Sequence, residues 1–207
     1  MPRTKEQNDL IKDKRRAKLL SAALRVFATK GYYETSVNDI TTEARCSHGL
    51  FYHYFPSKPA IFTAVLEEIV LPSPGLAPFK EAQAAGGYKG LEIVATYVDS
   101  LLIPAKHEEN KDYKQNLYVA LAANRCFDPD TIHLLPKEIL TNYNPREAFT
   151  TLIEEGQAEG KIIYGDPEEI ADIIAYVLQR ELENILFSKK ATKGISKEIF
   201  LSLISKK

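Results

Sequence analysis

Cysteine is scarce in this 207-residue chain, which holds only Cys46 and Cys126. Two thiols cannot build the disulfide framework of a small secreted domain, so a reducing, cytoplasmic setting is the economical expectation. Long apolar runs are also missing. No stretch approaches the roughly 18 apolar residues of a spanning helix, and the opening MPRTKEQNDL has no apolar segment of the signal-peptide kind, so neither membrane insertion nor export is expected. Alternating strand patterns are absent too, the β-rich pieces such as KIIYG being short and isolated, and the chain is expected to be all helical. There is no glycine-rich phosphate loop behind a strand, no nucleophile elbow and no His-Glu-x-x-His. Neither an enzyme nor a cofactor is therefore expected. What is present is ordinary: 44% hydrophobic and 27% charged residues are enough to bury real cores, in one large domain or a small one plus a medium one.

The net charge of −1 by itself speaks against a nucleic-acid binder, but its distribution does not. Residues 1–62 carry eleven Lys and Arg against six Asp and Glu, a surplus of five, while the remainder carries sixteen against twenty-two, a deficit of six. A basic head on an acidic body suits a molecule that approaches phosphates with one end. Within the head, SVNDITTEARCSHGLFYHYF (residues 36–55) reads as two short helices joined by a tight turn. Val37, Ile40, Thr41 and Ala44 form the i, i+3, i+4, i+7 stripe of a buried helix face. Ser36 is its cap, and Asp39 places negative charge in its first turn. Arg45 and Cys46 form the turn, and Ser47 caps a second helix running to Phe55.

Periodicity alone leaves the buried face of that second helix open, because Phe51 with Phe55 and Leu50 with Tyr54 are both i, i+4 pairs. Burying the phenylalanines leaves His48, Gly49, Leu50, Tyr52, His53 and Tyr54 mostly outward, a surface able to read a DNA groove. A helical hairpin inside a larger bundle is the alternative. Both short helices need a third to pack on, supplied by residues 9–30 through Ala17, Leu20, Leu24 and Phe27, with Gly31 as its stop. The basic run KDKRRAK at 12–18 is either a solvated helix face or a source of attraction to the DNA backbone. Cys46, His48 and His53 could suggest a metal site, but histidines five apart fall on different helix sides, which favours a DNA-facing pair and no metal. His107 and His133 are expected in surface or ordinary hydrogen-bonding roles.

The segment GYYETSVNDITTEARCSHGLFYHYFPSK resembles the N-terminal DNA-binding domain of the TetR/AcrR family of bacterial transcriptional regulators. The resemblance covers roughly residues 10 to 65. It rests on a Gly-aromatic-x-x-Thr-Ser/Thr-Val-x-x-Ile opening and a Phe-Tyr-x-Tyr-Phe close followed by Ser-Lys. Carried over by position, it implies that Thr35 or Ser36, Tyr52 and Lys58 touch phosphates. It also implies that His48, Gly49, Leu50, His53 and Tyr54 face bases, with Ser47 in the same DNA-contact set and Phe51 in the core. Arg45 departs from the glycine usual in that turn. Either it adopts φ > 0 at some cost or the turn differs, and its charge could add a DNA contact or merely be solvated.

Beyond the head (residues 1–57), residues 58–207 are expected to form an effector-binding and dimerisation domain. It begins with an apolar connector helix at 58–71, followed by a Pro-, Ala- and Gly-rich tract to Gly87 that reads as a boundary with mobility or a surface excursion. Helices are expected at about 88–103, 112–127, 131–143, from 144 to near Gly156, at 166–187, and from 196 to about 205, the last marginal unless docked. Aromatic and polar residues among these apolar helices are candidates for lining an effector cavity: Tyr97, Leu101, Tyr118, Asn124, Phe127, Phe149, Tyr176 and Arg180, with Tyr113, Tyr143 and Gln179 as further members. Core packing is the plainer role for each. The last two helices are apolar over more than one face, and Ile170, Ile174, Val177, Ile185, Ile199, Phe200 and Leu203 are expected to pair with a second subunit. The whole reads as a dimeric repressor of operator DNA released by a small, largely apolar ligand. Alternatives are a regulator or co-activator controlled by a protein partner, or a helical bundle that does not bind DNA.

Overall fold

The computed structural model describes residues 4–73, 76–101, 113–126, 145–187 and 195–206. Among the described residues it is helical, with no sheet and one isolated antiparallel bridge, Ile162 to Ser205. Helix α1, Lys5–Lys30, starts earlier than the periodicity predicts because Thr4 and Gln7 form a capping box. Its burial begins only at Leu19. The fourteen residues before that extend roughly 20 Å past the core at 1.5 Å per residue, and Ala17 is accordingly exposed rather than part of the stripe. Gly31 ends the helix at φ 78.

Helix α2, Val37–Ala44, is closed at its start by a second capping box, in which Ser36 N–H donates to Asp39 Oδ2 (2.9 Å) and Asp39 N–H to Ser36 Oγ (3.1 Å). Lys30 Nζ also donates to Asp39 (2.6 Å), and these hydrogen bonds hold its carboxyl well below the usual range. At the other end Arg45 N–H donates to Thr42 O and Cys46 N–H to Thr41 O, a Schellman closure whose left-handed residue is Arg45 at φ 50, ψ 56. The turn therefore keeps the geometry a glycine would give. Helix α3, His48–Tyr54, is capped by Ser47 and buries Phe51 completely, with Phe55 just beyond it also in the core. That settles the face left open by periodicity.

Helix α4, Lys58–Val65, continues into a π-helical turn, Leu66–Val70, closed by Leu71 N–H donating to Leu66 O at 2.8 Å. Ile61, Phe62, Val65, Leu66 and Val70 are buried as expected of the connector. Phe62 meets Phe27 edge-on, ring centroids 5.0 Å apart, and Tyr32 at 4.6 Å. Lys58 at the start of α4 turns inward. Its ammonium donates to the carbonyls of Tyr32 and Thr35 (2.9 Å each) and lies 4.4 Å from the centroid of the Tyr32 ring, so it clamps the α1–α2 loop. Burial pushes its pKa down.

The Pro-, Ala- and Gly-rich tract is not a surface excursion throughout: Ala77–Ala85 form α5, with Pro78 in the first turn and Gly86 (φ 70) as its stop. Helices α6 (Gly87–Leu101), α7 (Tyr113–Cys126), α8 (Pro145–Ala158), α9 (Pro167–Phe187) and α10 (Lys197–Ser202) follow. The helix expected at 131–143 lies outside the described residues. Two cores result. One joins α1–α4 to Leu117, Leu121 and their neighbours on α7 and to Leu182 of α9; the other gathers α5, α6, α8, α9 and α10. The first crosses the boundary expected at 57/58. The short α10 is docked, with Phe200 and Ile204 buried and Ile163 N–H donating to Ile204 O (2.9 Å), so the KIIYG piece pairs with the last residues instead of building a sheet.

Two outcomes are expected in urea unfolding. Arg45→Gly removes a left-handed non-glycine residue and should raise stability by about 0.5–1 kcal/mol, the unfolded-state entropy of glycine offsetting part of the relief. Lys58→Met strips the ammonium from the loop carbonyls and should lower stability by about 1–3 kcal/mol.

Candidate nucleic-acid interface

The residues of α3 that the core does not claim form one face. His48, Gly49, Tyr52 and His53 are exposed, Leu50 and Tyr54 are half-buried, and Tyr54 packs against the first core. A Cβ built on Gly49 would meet only Ser47 Oγ, at 4.0 Å, leaving open space where another molecule's backbone could come close. Tyr52 stands out at 54% exposure with its ring edge-on to Phe51. His48 Nε2 lies 3.2 Å from Asn38 Oδ1, so α2 orients the first side chain of α3. Asn38 gives no signal of this in the sequence, being ten residues away. Among the described residues no group of three metal-ligating side chains occurs.

The remaining DNA-contact candidates divide. Arg45 and Ser36 are exposed, although the Ser36 hydroxyl donates to Asp39 (2.6 Å) and the Ser47 hydroxyl caps α3. Two expectations are corrected. Thr35 is buried with its hydroxyl donating to Gly31 O (2.6 Å), and so has no side-chain group to offer a phosphate. Lys58 is already committed to the loop carbonyls.

The head's charge is arranged as well as biased. Glu43 is paired with Arg25 (2.7 Å) and Asp39 with Lys30, whereas Lys12, Lys14, Arg15, Lys18 and Arg45 are exposed and make no ion pair among the described residues. Lys14, Lys18 and Arg25 share one face of α1 by the i, i+4, i+11 spacing. Arg25 reaches α2 from that face, and Lys18 draws down the Cys46 thiol pKa that burial pushes up. The basic face thus runs beside the α2–α3 turn. Arg16, on another side, lies 5.2 Å from the centroid of the Phe55 ring and grips Glu68 with both terminal nitrogens.

Among the described residues, the effector candidates expected in the body do not all gather at one place. Tyr97 and Phe149 come together through Phe79, whose ring centroid is 5.7 and 6.1 Å from theirs; in the sequence Phe79 is inconspicuous because it lies in a tract that reads as loop. Burial raises the Tyr97 pKa to about 12, and its ring borders a cleft of ≈ 330 Å³ between α5, α6 and Lys197. Tyr118 packs against the first core, and Asn124 Nδ2 donates to Ala175 O (3.1 Å). Tyr176 and Arg180 are exposed on α9 and do not border that cleft. The side chains of Leu101 and Tyr113, together with Phe127 and Tyr143, lie outside the described residues.

The dimer candidates are similarly rearranged. Ile170, Ile174 and Phe200 face the chain's own core and are unavailable to a second subunit, Val177 and Ile185 are half-buried, and Ile199 and Leu203 are exposed. The exposed apolar residues of α9 are instead Ile173 (60%), Tyr176 (69%) and Phe187 (46%).

Residues 19–65 match the family model described as bacterial regulatory proteins, tetR family. The HTH-type regulator YuxN of Bacillus subtilis (strain 168) is 48% identical over 48 residues, 23% of this chain and 16% of that protein. The HTH-type transcriptional repressor NicS of Pseudomonas putida is 35% identical over 72 residues, 35% of this chain and 31% of its own length. The matched stretch therefore spans less than a third of either relative. The fold resemblance is longer: the crystal structure of HlyIIR, a hemolysin II transcriptional regulator, superimposes with a TM-score of 0.61 over 95% of this chain and 99% of that one, at 16% identity. The likeness to the tetR family model is confined to residues 19–65, which hold the helix-turn-helix head, and the solved structures extend the resemblance of fold to nearly the whole chain.

Proposed function

We propose that the protein is a dimeric DNA-binding transcriptional regulator, acting as a repressor, whose two α3 helices enter successive major grooves of a pseudo-palindromic operator. The observation that carries this reading is the outward face of His48, Gly49, Tyr52 and His53 on a helix fixed by a buried Phe51. Half-sites should then lie about 34–36 Å apart or a multiple of that. Tyr52, Ser36, Arg45 and the exposed cations Lys14 and Lys18 are the phosphate contacts; His48, Gly49, Leu50 and His53 face bases. The repressor mode is that of NicS, by its name.

The second subunit packs on the exposed residues of α9 and α10, Ile173, Tyr176, Phe187, Ile199 and Leu203, in a two-fold interface. A small effector with an apolar part is supported by the aromatic group Phe79, Tyr97 and Phe149, of which Tyr97 borders the cleft, whose other lining residues include the charged Glu81, Lys89, Glu92 and Lys197. Its binding would shift α4, whose π-helical turn is a natural place for the connector to change length, and with it the separation of the two heads.

Selection from random duplexes should yield a palindromic site. Against that site, Lys14→Ala with Lys18→Ala should flatten the salt dependence by about 0.9 in log–log slope for each phosphate that the two lysines neutralise, with base preference unchanged. His53→Ala should instead relax preference at one position of each half-site. Unchanged slope and preference would refute the assigned contacts. Ile173→Asp with Tyr176→Asp should give a monomer in sedimentation; a dimer that persists places the interface elsewhere.

A further inference from the structure

Arg125, in the last turn of α7, bonds to both α1 and α9. Its Nη1 donates to Thr29 O in the last turn of α1 at 2.9 Å, and its Nη2 pairs with Glu183 of α9. Gln179 Nε2, one turn back on α9, donates to the same carboxylate oxygen at 3.0 Å. The neighbouring Asn124 adds a bond to Ala175 O on α9. The third donor, Arg125 Nε, is buried with no partner among the described residues. Leaving that donor buried costs free energy, so the residue's place is set by the two bonds it does make.

Those two bonds lie on a short path. Thr29 is two residues before Gly31, and the loop after it leads to the Ser36 cap of α2, so a push on the end of α1 is felt where the helix-turn-helix begins. Glu183 sits on α9, whose Ala175, Gln179 and Leu182 are turned inward while Ile173, Tyr176 and Phe187 of the same helix face outward. The charged link from α1 to the connector, Arg16 to Glu68, ends on the π-helical turn, whereas Arg25–Glu43 and Lys30–Asp39 stay within the head. A head swinging on its connector would have to break the bond from Arg125 to Thr29 O, while the pair with Glu183 holds Arg125 in place from the α9 side.

We propose that Arg125 is a positioning residue that fixes the angle of the DNA-reading head against α9, and thereby sets the half-site spacing the dimer accepts. This rests on the DNA-binding reading above. The planar guanidinium reaches two acceptors in different directions at once, which a lysine ammonium at the same place does with less directional control. Without it the head keeps its apolar packing on α7 but loses the directional tie that fixes its angle, so affinity becomes less sensitive to how far apart the half-sites lie.

The test uses full-length protein and duplexes carrying the selected half-sites with the spacing lengthened or shortened by single base pairs. Wild type should lose about tenfold or more in affinity per step away from its optimum, the scale of a modest coupling, and Arg125→Lys less than about threefold. Glu183→Gln keeps an oxygen to accept from Arg125 and so preserves the fold; it should fall between them, and it carries the test if Arg125→Lys melts below assay temperature. Profiles as steep as wild type in both variants would overturn the proposal. A wild type that prefers no duplex at all would instead sink the DNA-binding reading.

Discussion

A helix of seven residues has no stability of its own in water, so everything the head does depends on the burial of Phe51 and, beside it, Phe55. Each fully buried phenylalanine contributes about 1.5–3 kcal/mol, enough to hold α3 on α1 and α4 in one rotational setting. That setting decides which side chains remain outside. The caps at Ser36, Ser47 and Ser57, the left-handed Arg45 and the Lys58 clamp then refine a placement already chosen by two aromatic rings. Charge comes last: acids near the reading helix are neutralised in pairs, leaving the exposed lysines of α1 and Arg45 to dominate the local field.

Much of this head is legible in the sequence because its rules are local. Caps, a stop glycine and a three- or four-residue apolar repeat act over one turn, and the structure places α2, α3 and their turn within a residue or so of the expectation. The buried face of α3 is not a local matter. Phe51 and Leu50 begin equally good pairs, and only packing into the core shared with α1 and α4 favours the phenylalanines. Lys58 shows the opposite failure: a cation next to a DNA-binding motif invites a phosphate, yet the fold brings the Tyr32 and Thr35 carbonyls back to it from 26 and 23 residues away. Thr35 differs from Ser36 for a comparable reason, since its hydroxyl finds the Gly31 carbonyl one helical turn back.

The body is harder to read because its useful information is about which face a helix turns to which neighbour. α9 repeats isoleucine and leucine so densely that Ile170 and Ile173 look alike in sequence, although one is buried in the chain and the other is 60% exposed. Helix phase relative to α7 and α8 makes that distinction, and no spacing rule contains it. Likewise α5 is hidden in a run of proline, alanine and glycine. Alanine supplies helix propensity there, and the proline and glycine stand at the two ends, where they do no harm.

The core shared by α1–α4 with α7 has a consequence for how the molecule is divided. The match to the family model ends at residue 65, but the hydrophobic packing of the head does not: Leu117, Leu121 and Leu182 complete it from the far part of the chain. A fragment cut at the end of the recognisable motif would carry an unhealed apolar wound along α1. The stretch that matches the family model and the stretch that packs around one core are therefore different lengths of the same polypeptide.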